Sequence, residues 1–258
     1  MKIAFAVLLL WSIAFISLAQ PGSPGKPLMS PEEISKDVMS WVRYDAGHLR
    51  LSGDFKAYNQ RAALIGKDEF MKQLASGSYL PVKLRANDGV LKYQLYKMPA
   101  KTESSLKEVI KDYGKRYYNY YKREGQPIPG FNFKDVNGRV YSKLNTKGKI
   151  VVLKCWFIAC TVCVEEMPRL NQVVDQYKNR KDVVFISLAF DSKKKLDAFL
   201  KKTKFSYAVV PDQEGYMRDQ LQINSYPTHL IVNKKGKIAK VVNNAEDMIR
   251  ALNKESAL

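Results

Sequence analysis

The reading of this chain turns on Lys149 to Pro168, which runs Lys-Ile-Val-Val-Leu-Lys-Cys-Trp-Phe-Ile-Ala-Cys-Thr-Val-Cys-Val-Glu-Glu-Met-Pro. Ile150 to Leu153 is a short, mostly β-branched apolar run of the kind buried on both faces of a sheet, and Cys155, Trp156 and Phe157 extend it. Beyond Cys160 and Cys163 the period changes: Met167, Leu170, Val173, Val174 and Tyr177 recur at helical spacing. The two cysteines therefore fall where a strand feeds a helix, with Cys160 near the helix N-terminus. Only a thiolate attacks a disulfide, and the unpaired N–H groups and positive dipole end of a helix favour a thiolate. Cys163, one turn on, is placed to close the exchange.

Trp156, Cys160, Cys163, Glu166, Met167 and Pro168 resemble the W-x-x-x-C-x-x-C-x-x-E-[MF]-P signature of exported bacterial thioredoxin-like proteins of the TlpA/ResA type. A distant piece agrees: Tyr226-Pro227-Thr228, then Leu230-Ile231-Val232 and a Lys-Lys-Gly turn, is similar to the cis-proline loop and following hairpin of that fold. The resemblance covers roughly residues 127–258. It implies a thioredoxin fold, an α/β arrangement with a central mixed sheet flanked by helices. It also implies a redox-active Cys160/Cys163 disulfide, with Cys160 attacking and Cys163 resolving. Glu166 would be a partly buried acid of raised pKa that moves protons to and from Cys163. Trp156, Tyr226 and a cis Pro227 would border the substrate. Cys155 is expected to be a free buried thiol and His229 a sheet-surface histidine.

The expected activity is thiol–disulfide exchange, in the direction of reducing protein disulfides, with a membrane-bound thiol reductant or oxidant as redox partner. Thr161 and Val162 stand between the cysteines where proline or glycine is frequent, and such residues set the potential, so an oxidase or isomerase is the nearest alternative. A copper chaperone using Cys160, Cys163 and His229 is the non-enzymatic alternative. A peroxidase is disfavoured, because Phe157 stands where peroxiredoxins carry a threonine. No cofactor is expected. Zinc would require four ligands, and His48 and His229 are not at ligand spacing.

The chain has 258 residues and a formal net charge of +18, shared between its halves (+8 over 1–125, +10 over 126–258). An excess spread this evenly reads as a lysine-rich solvated surface, and no nucleic acid is expected. Lys2 followed by an apolar run from Ile3 to Leu18, with Ser17 and Ala19 at cleavage spacing, reads as a signal peptide cut after Ala19. The expectation is export, to a bacterial periplasm, with no stable membrane insertion after cleavage; an uncleaved anchor is the alternative. Three cysteines are too few for a disulfide scaffold, so the C-x-x-C pair reads as catalytic.

Residues 20–125 form a second, smaller α+β region of unassigned role, ahead of a thioredoxin-like domain over 126–258. A helix is expected from Ser30 to Tyr44 with Ile34, Val38, Trp41 and Val42 on one face, then loose strand character over 47–59. A short helix over 68–74 and a hairpin over 79–98 turning at Asn87-Asp88-Gly89 follow. A helix over 104–122 carries tyrosines expected to point their hydroxyls outward, with its cations solvated. Glu124 to Gly130 reads as a linker.

Overall fold

A computed structural model describes residues 24–258 of the chain. The expected signal peptide, residues 1–19, lies outside the described residues. Among them no helix is long and apolar enough to cross a membrane.

The expected first helix is two helices. In α1 (Pro31–Ile34) a capping box joins Ser30 and Glu33, and the turn ends where Ser35 Oγ donates to the Pro31 carbonyl at 2.7 Å. Asp37 then starts α2 (Val38–His48) by accepting the Ser40 N–H at 2.7 Å. The restart changes the buried face: Trp41 and Tyr44 are in the core and Val42 is exposed, which corrects the single-helix face. Because α2 reaches His48 and Leu49 and Leu51 turn inward, the expected strand shrinks to β1 (Lys56–Tyr58). It is followed by β2 (Leu64–Ile65), α3 (Lys67–Ala75), β3 (Tyr79–Lys83), β4 (Lys92–Lys97) and α4 (Ser104–Arg123). The four strands form one sheet in the order β2-β1-β4-β3, with β1 parallel to β4. Helices α3 and α4 cross closely at Gly114, where an added Cβ would stand 2.6 Å from the Leu74 carbonyl oxygen.

The second half opens with the hairpin β5 (Asn132–Lys134) and β6 (Val140–Ser142). Then come β7 (Ile150–Trp156), α5 (Thr161–Glu165), α6 (Met167–Gln176), β8 (Val183–Ala189), α7 (Lys193–Leu200) and β9 (Ala208–Val210). A π-helical turn (Tyr216–Gln220), β10 (Thr228–Val232), β11 (Ile238–Val242) and α8 (Ala245–Ser256) complete the chain. The sheet order is β11-β10-β7-β8-β9; β7, β8 and β9 are parallel, and β10 and β11 are antiparallel to their neighbours. This is the mixed sheet of a thioredoxin fold, flanked by helices.

Strand β7 is buried along its whole length and its side chains alternate between two cores. Ile150, Val152 and Trp156 pack with α6, α7 and α8. Val151, Leu153 and Cys155 join one continuous core with the first half of the chain, including Tyr113, Tyr117 and Tyr120 of α4. The α4 tyrosines point inward, against expectation. Tyr117 Oη donates to Asn243 Oδ1 at 3.0 Å, and Tyr120 Oη lies 3.1 Å from Thr228 Oγ1. The partners of these two phenols belong to the second half. The expected linker is also held: Gly125 N–H donates to the Ile238 carbonyl at 2.7 Å, and Ile238 N–H to the Gln126 carbonyl at 2.8 Å, so it pairs along the edge of β11.

Candidate active site

The site begins where β7 ends. Between Trp156 and Cys160 the chain is fixed from both sides. Ile158 N–H donates to Asp191 Oδ2 at 2.7 Å, and Cys160 N–H donates to the Phe157 carbonyl at 3.1 Å. Cys160 is the N-cap of α5, and its Sγ accepts the Cys163 N–H at 3.3 Å. Cys160 and Cys163 form a disulfide with Cα atoms 5.2 Å apart. The two sulfurs differ in access, Cys160 being half-buried and Cys163 fully buried beneath Trp156 and Met167. When the bond is reduced, the accessible sulfur is the one facing a helix N-terminus and an N–H donor, which favours a thiolate there.

The two segments named from sequence come together. The Tyr226–Pro227 peptide is cis, and Tyr226 borders the same cluster as Cys160. The Tyr226 ring meets Phe157 and Phe190 edge-on at 5.7 and 4.8 Å, and those two rings stack at 5.2 Å. With Val162, which is 56% exposed between the cysteines, they form an apolar rim beside the disulfide. Phe190 was missed from sequence, because the last residue of an apolar strand run carries no signal of which side it lands on. Trp156 does not belong to this rim. It is fully buried against Phe199 and Phe205, which corrects its expected place beside the substrate.

Glu166 departs from expectation more sharply. It begins the turn where α5 gives way to α6, just before Pro168 interrupts the N–H ladder. Its carboxylate is nearly buried, and three donors converge on it. Lys154 Nζ lies 2.7 Å from Oε2, His229 Nε2 3.0 Å from Oε2, and the Ala245 N–H 2.8 Å from Oε1. Burial pushes the Glu166 pKa up, but His229 and Lys154 outweigh it and hold the group down at about 2. The expected raised acid is therefore a fixed anion. Lys154 is wholly inaccessible; burial lowers its pKa and Glu166 resists the fall. Burial also lowers His229, so the ring is neutral and Nε2 carries the proton it donates to the carboxylate. Its Nδ1 is buried with no partner. His229 sits inside the fold on β10, not on the sheet surface, because the register sets it opposite Lys154. Lys154 had a legible signal: a lysine inside Ile-Val-Val-Leu-Lys-Cys-Trp must find a carboxylate if that strand is buried.

Cys155 points to the opposite face of β7 and is buried among apolar neighbours, which drives its thiol pKa far up and leaves it inert. Among the described residues no cluster of three His, Cys, Asp or Glu side chains is disposed to hold a metal ion. Cys160, Cys163 and His229 do not converge as a copper site.

Comparison with known proteins bears directly on this geometry. Residues 125–241 match the family model described as the AhpC/TSA family. The thioredoxin-like protein YneN of Bacillus subtilis is 31% identical over 132 residues, spanning 48% of this chain and 77% of YneN. The chain belongs to the thioredoxin-like family. The thiol–disulfide oxidoreductase ResA of the same organism is 31% identical over 123 residues, covering 46% of this chain and 66% of ResA. A solved thiol–disulfide oxidoreductase from Bacteroides fragilis is 20% identical, covering 50% of this chain and 98% of that one, with a TM-score of 0.46. This thioredoxin-like protein is a thiol–disulfide oxidoreductase, and the matched segment is the half that carries Cys160 and Cys163.

Proposed function

We propose that the chain reduces disulfides in protein clients outside the cytoplasm, through Cys160 and Cys163. The observation that carries this reading is the asymmetry of the pair: one half-exposed sulfur at a helix start and one buried sulfur behind it. The Cys160 thiolate attacks a client disulfide, forming a mixed disulfide and releasing one client thiolate. Cys163 loses its proton and attacks Cys160 Sγ; the second client thiolate leaves, the protein is oxidised and the client reduced. A membrane-bound thiol partner returns the two electrons.

Glu166 serves this cycle as a charge of fixed position. With its pKa held low it does not store a proton, and its charge stays paired with the Lys154 and His229 donors beneath the active-site helix. Tyr226 and Pro227 border the client. Export is supported by Lys2, the apolar run from Ile3 to Leu18 and the small residues Ser17 and Ala19. Residues 20–125 are a region separate in sequence from the thioredoxin-like domain at 126–258.

The midpoint potential of the Cys160/Cys163 couple, equilibrated against glutathione, tests the direction. A value near thioredoxin's, about −270 mV, supports reduction; one near about −120 mV makes the protein an oxidase and sinks this reading. Mass measurement of the chain recovered from a bacterial host tests export, since cleavage after Ala19 leaves Gln20 as the first residue.

A further inference from the structure

The first half of the chain reaches the site from one side of Tyr226. Helix α4 and the loop before Pro227 enclose a polar cleft of about 410 Å³, with Lys115, Arg116 and Asn119 on one wall and Gln222, Asn224 and Ser225 on the other. The cleft is tied to the loop at its base: Tyr120 Oη meets Thr228 Oγ1, and Thr228 Oγ1 donates to the Ser225 carbonyl at 2.6 Å. Ser225 precedes Tyr226, whose ring forms part of the apolar rim. Cleft and rim are therefore joined through one peptide unit, Ser225 lining the cleft and Tyr226 the rim.

Arg116 has unused bonding capacity in this cleft. Its guanidinium lies 5.4 and 5.7 Å from the ring centres of Tyr113 and Tyr117, which fixes its plane. Of its five N–H donors, one reaches Ser225 Oγ at the long distance of 3.5 Å, and Nε is buried with no partner. Asp45 of α2 feels its charge from behind the tyrosines without forming an ion pair with it. Asp112 at the rim sits 4.0 Å from Lys115, an exposed pair that holds neither group strongly. A pre-oriented guanidinium with spare donors, flanked by carboxamides, matches a carboxylate on an extended chain.

We propose that this cleft holds the client polypeptide beside its disulfide and selects an acidic residue there, with Arg116 as the specificity-determining side chain. The first half of the chain thus supplies client recognition to the second half's exchange chemistry. The inference rests on the thiol-exchange reading above, since the client is brought there by Cys160.

The test uses the full reduced protein and three disulfides: neutral 2-hydroxyethyl disulfide, and two cyclic peptides identical except for Glu or Lys residues flanking the bridge. Rates of thiol loss are measured at physiological salt for wild type, Arg116→Ala, Asn119→Asp at the exposed wall of the cleft, and Lys235→Ala on a distant turn. The wild type is expected to favour the acidic peptide by about tenfold, the worth of a charge-assisted pair. Arg116→Ala and Asn119→Asp should each bring that preference down several-fold, while Lys235→Ala preserves it and all variants react equally with hydroxyethyl disulfide. A preference unchanged in both cleft variants, or lost equally in Lys235→Ala, overturns the proposal in favour of general attraction by net charge. Preference for the basic peptide, or equal rates, also overturns it. Failure of the wild type to react with hydroxyethyl disulfide would instead refute the thiol-exchange reading, and the proposal with it.

Discussion

Replacing Lys154 by methionine should destabilise the oxidised protein by about 3 kcal/mol at pH 7, the low end of the range for breaking a buried ion pair. Lys154 is fully buried and its Nζ sits 2.7 Å from Glu166 Oε2. Methionine fills most of the volume of the lysine stem, so loss of packing is a minor part. The cost comes from the carboxylate left behind. It stays near the low end because Glu166 keeps the His229 and Ala245 donors. For a chain of this length the shift in melting temperature is roughly 6–12 °C. The loss must also depend on pH. In the wild type Glu166 has a folded pKa of about 2 against 4.5 in the unfolded chain. Its contribution is therefore present above 4.5 and fades as pH falls through 2. Without Lys154 the Glu166 pKa rises from its wild-type value, so the variant sheds part of its penalty by taking up a proton as pH falls. Guanidinium unfolding followed by tryptophan fluorescence at pH 7 and pH 5 measures both effects. Adding Glu166→Gln, which keeps an acceptor but removes the charge, should recover about 1 kcal/mol or more. A loss at pH 7 below about 1 kcal/mol, or one identical at both pH values, would refute the argument that an unpaired buried anion carries the cost.

Gly114→Ala sets helix propensity, worth about 1 kcal/mol in alanine's favour, against a Cβ 2.6 Å from a backbone oxygen. Backbone cannot swing aside as a side chain can, so a net loss of about 1–3 kcal/mol is expected in thermal unfolding, and a gain would show that α3 moves freely. Acid should weaken the fold in two stages. His229, with its pKa depressed from 6.5 by burial, removes stability as pH falls below 6.5, and Glu166 does so between 4.5 and about 2. Melting temperatures from pH 8 to 3 give the profile, in which His229→Gln should flatten the first stage alone. Iodoacetamide applied to the reduced protein should label Cys160 and leave Cys163 and Cys155 intact until denaturant is added, as peptide masses will show. Equal labelling of Cys160 and Cys163 would contradict their difference in burial. Tyr120→Phe removes the bond to Thr228 and should cost about 1 kcal/mol, because Thr228 Oγ1 keeps the Ser225 carbonyl as partner.

The redox half of the molecule was legible because its signals are local. The apolar run into β7, the C-x-x-C at a helix start and Tyr226-Pro227 each report on neighbours within a few residues. What escaped depends on pairing over distance. The register of β10 against β7 sets His229 opposite Lys154, so a residue with the look of a surface histidine became a buried donor to Glu166. That convergence reversed the direction expected for the Glu166 pKa. Alternation along β7 decided that Trp156 faces inward while the neighbouring loop forms the rim. In the first half, Ser35 and Asp37 broke a helix that apolar periodicity alone ran through. Tyr117 and Tyr120 of α4 pointed inward because a face of the second half, invisible to a local reading, was there to receive their hydroxyls.

That shared seam has a bearing on how the chain acquires its shape. Tyr117 waits for a partner 126 positions later and Tyr120 for one 108 later, while Asp54 meets Lys254 across 200 positions. As the polypeptide emerges from its N-terminal end, Tyr113 can lie against Trp41, but the hydroxyls of Tyr117 and Tyr120 have no partner until β10 and the residue after β11, almost the last segments made, have appeared. Assembly that depends on such remote closures is slow and leaves sticky surface uncovered meanwhile. The nascent first half is thus the stage most in need of a chaperone's shelter.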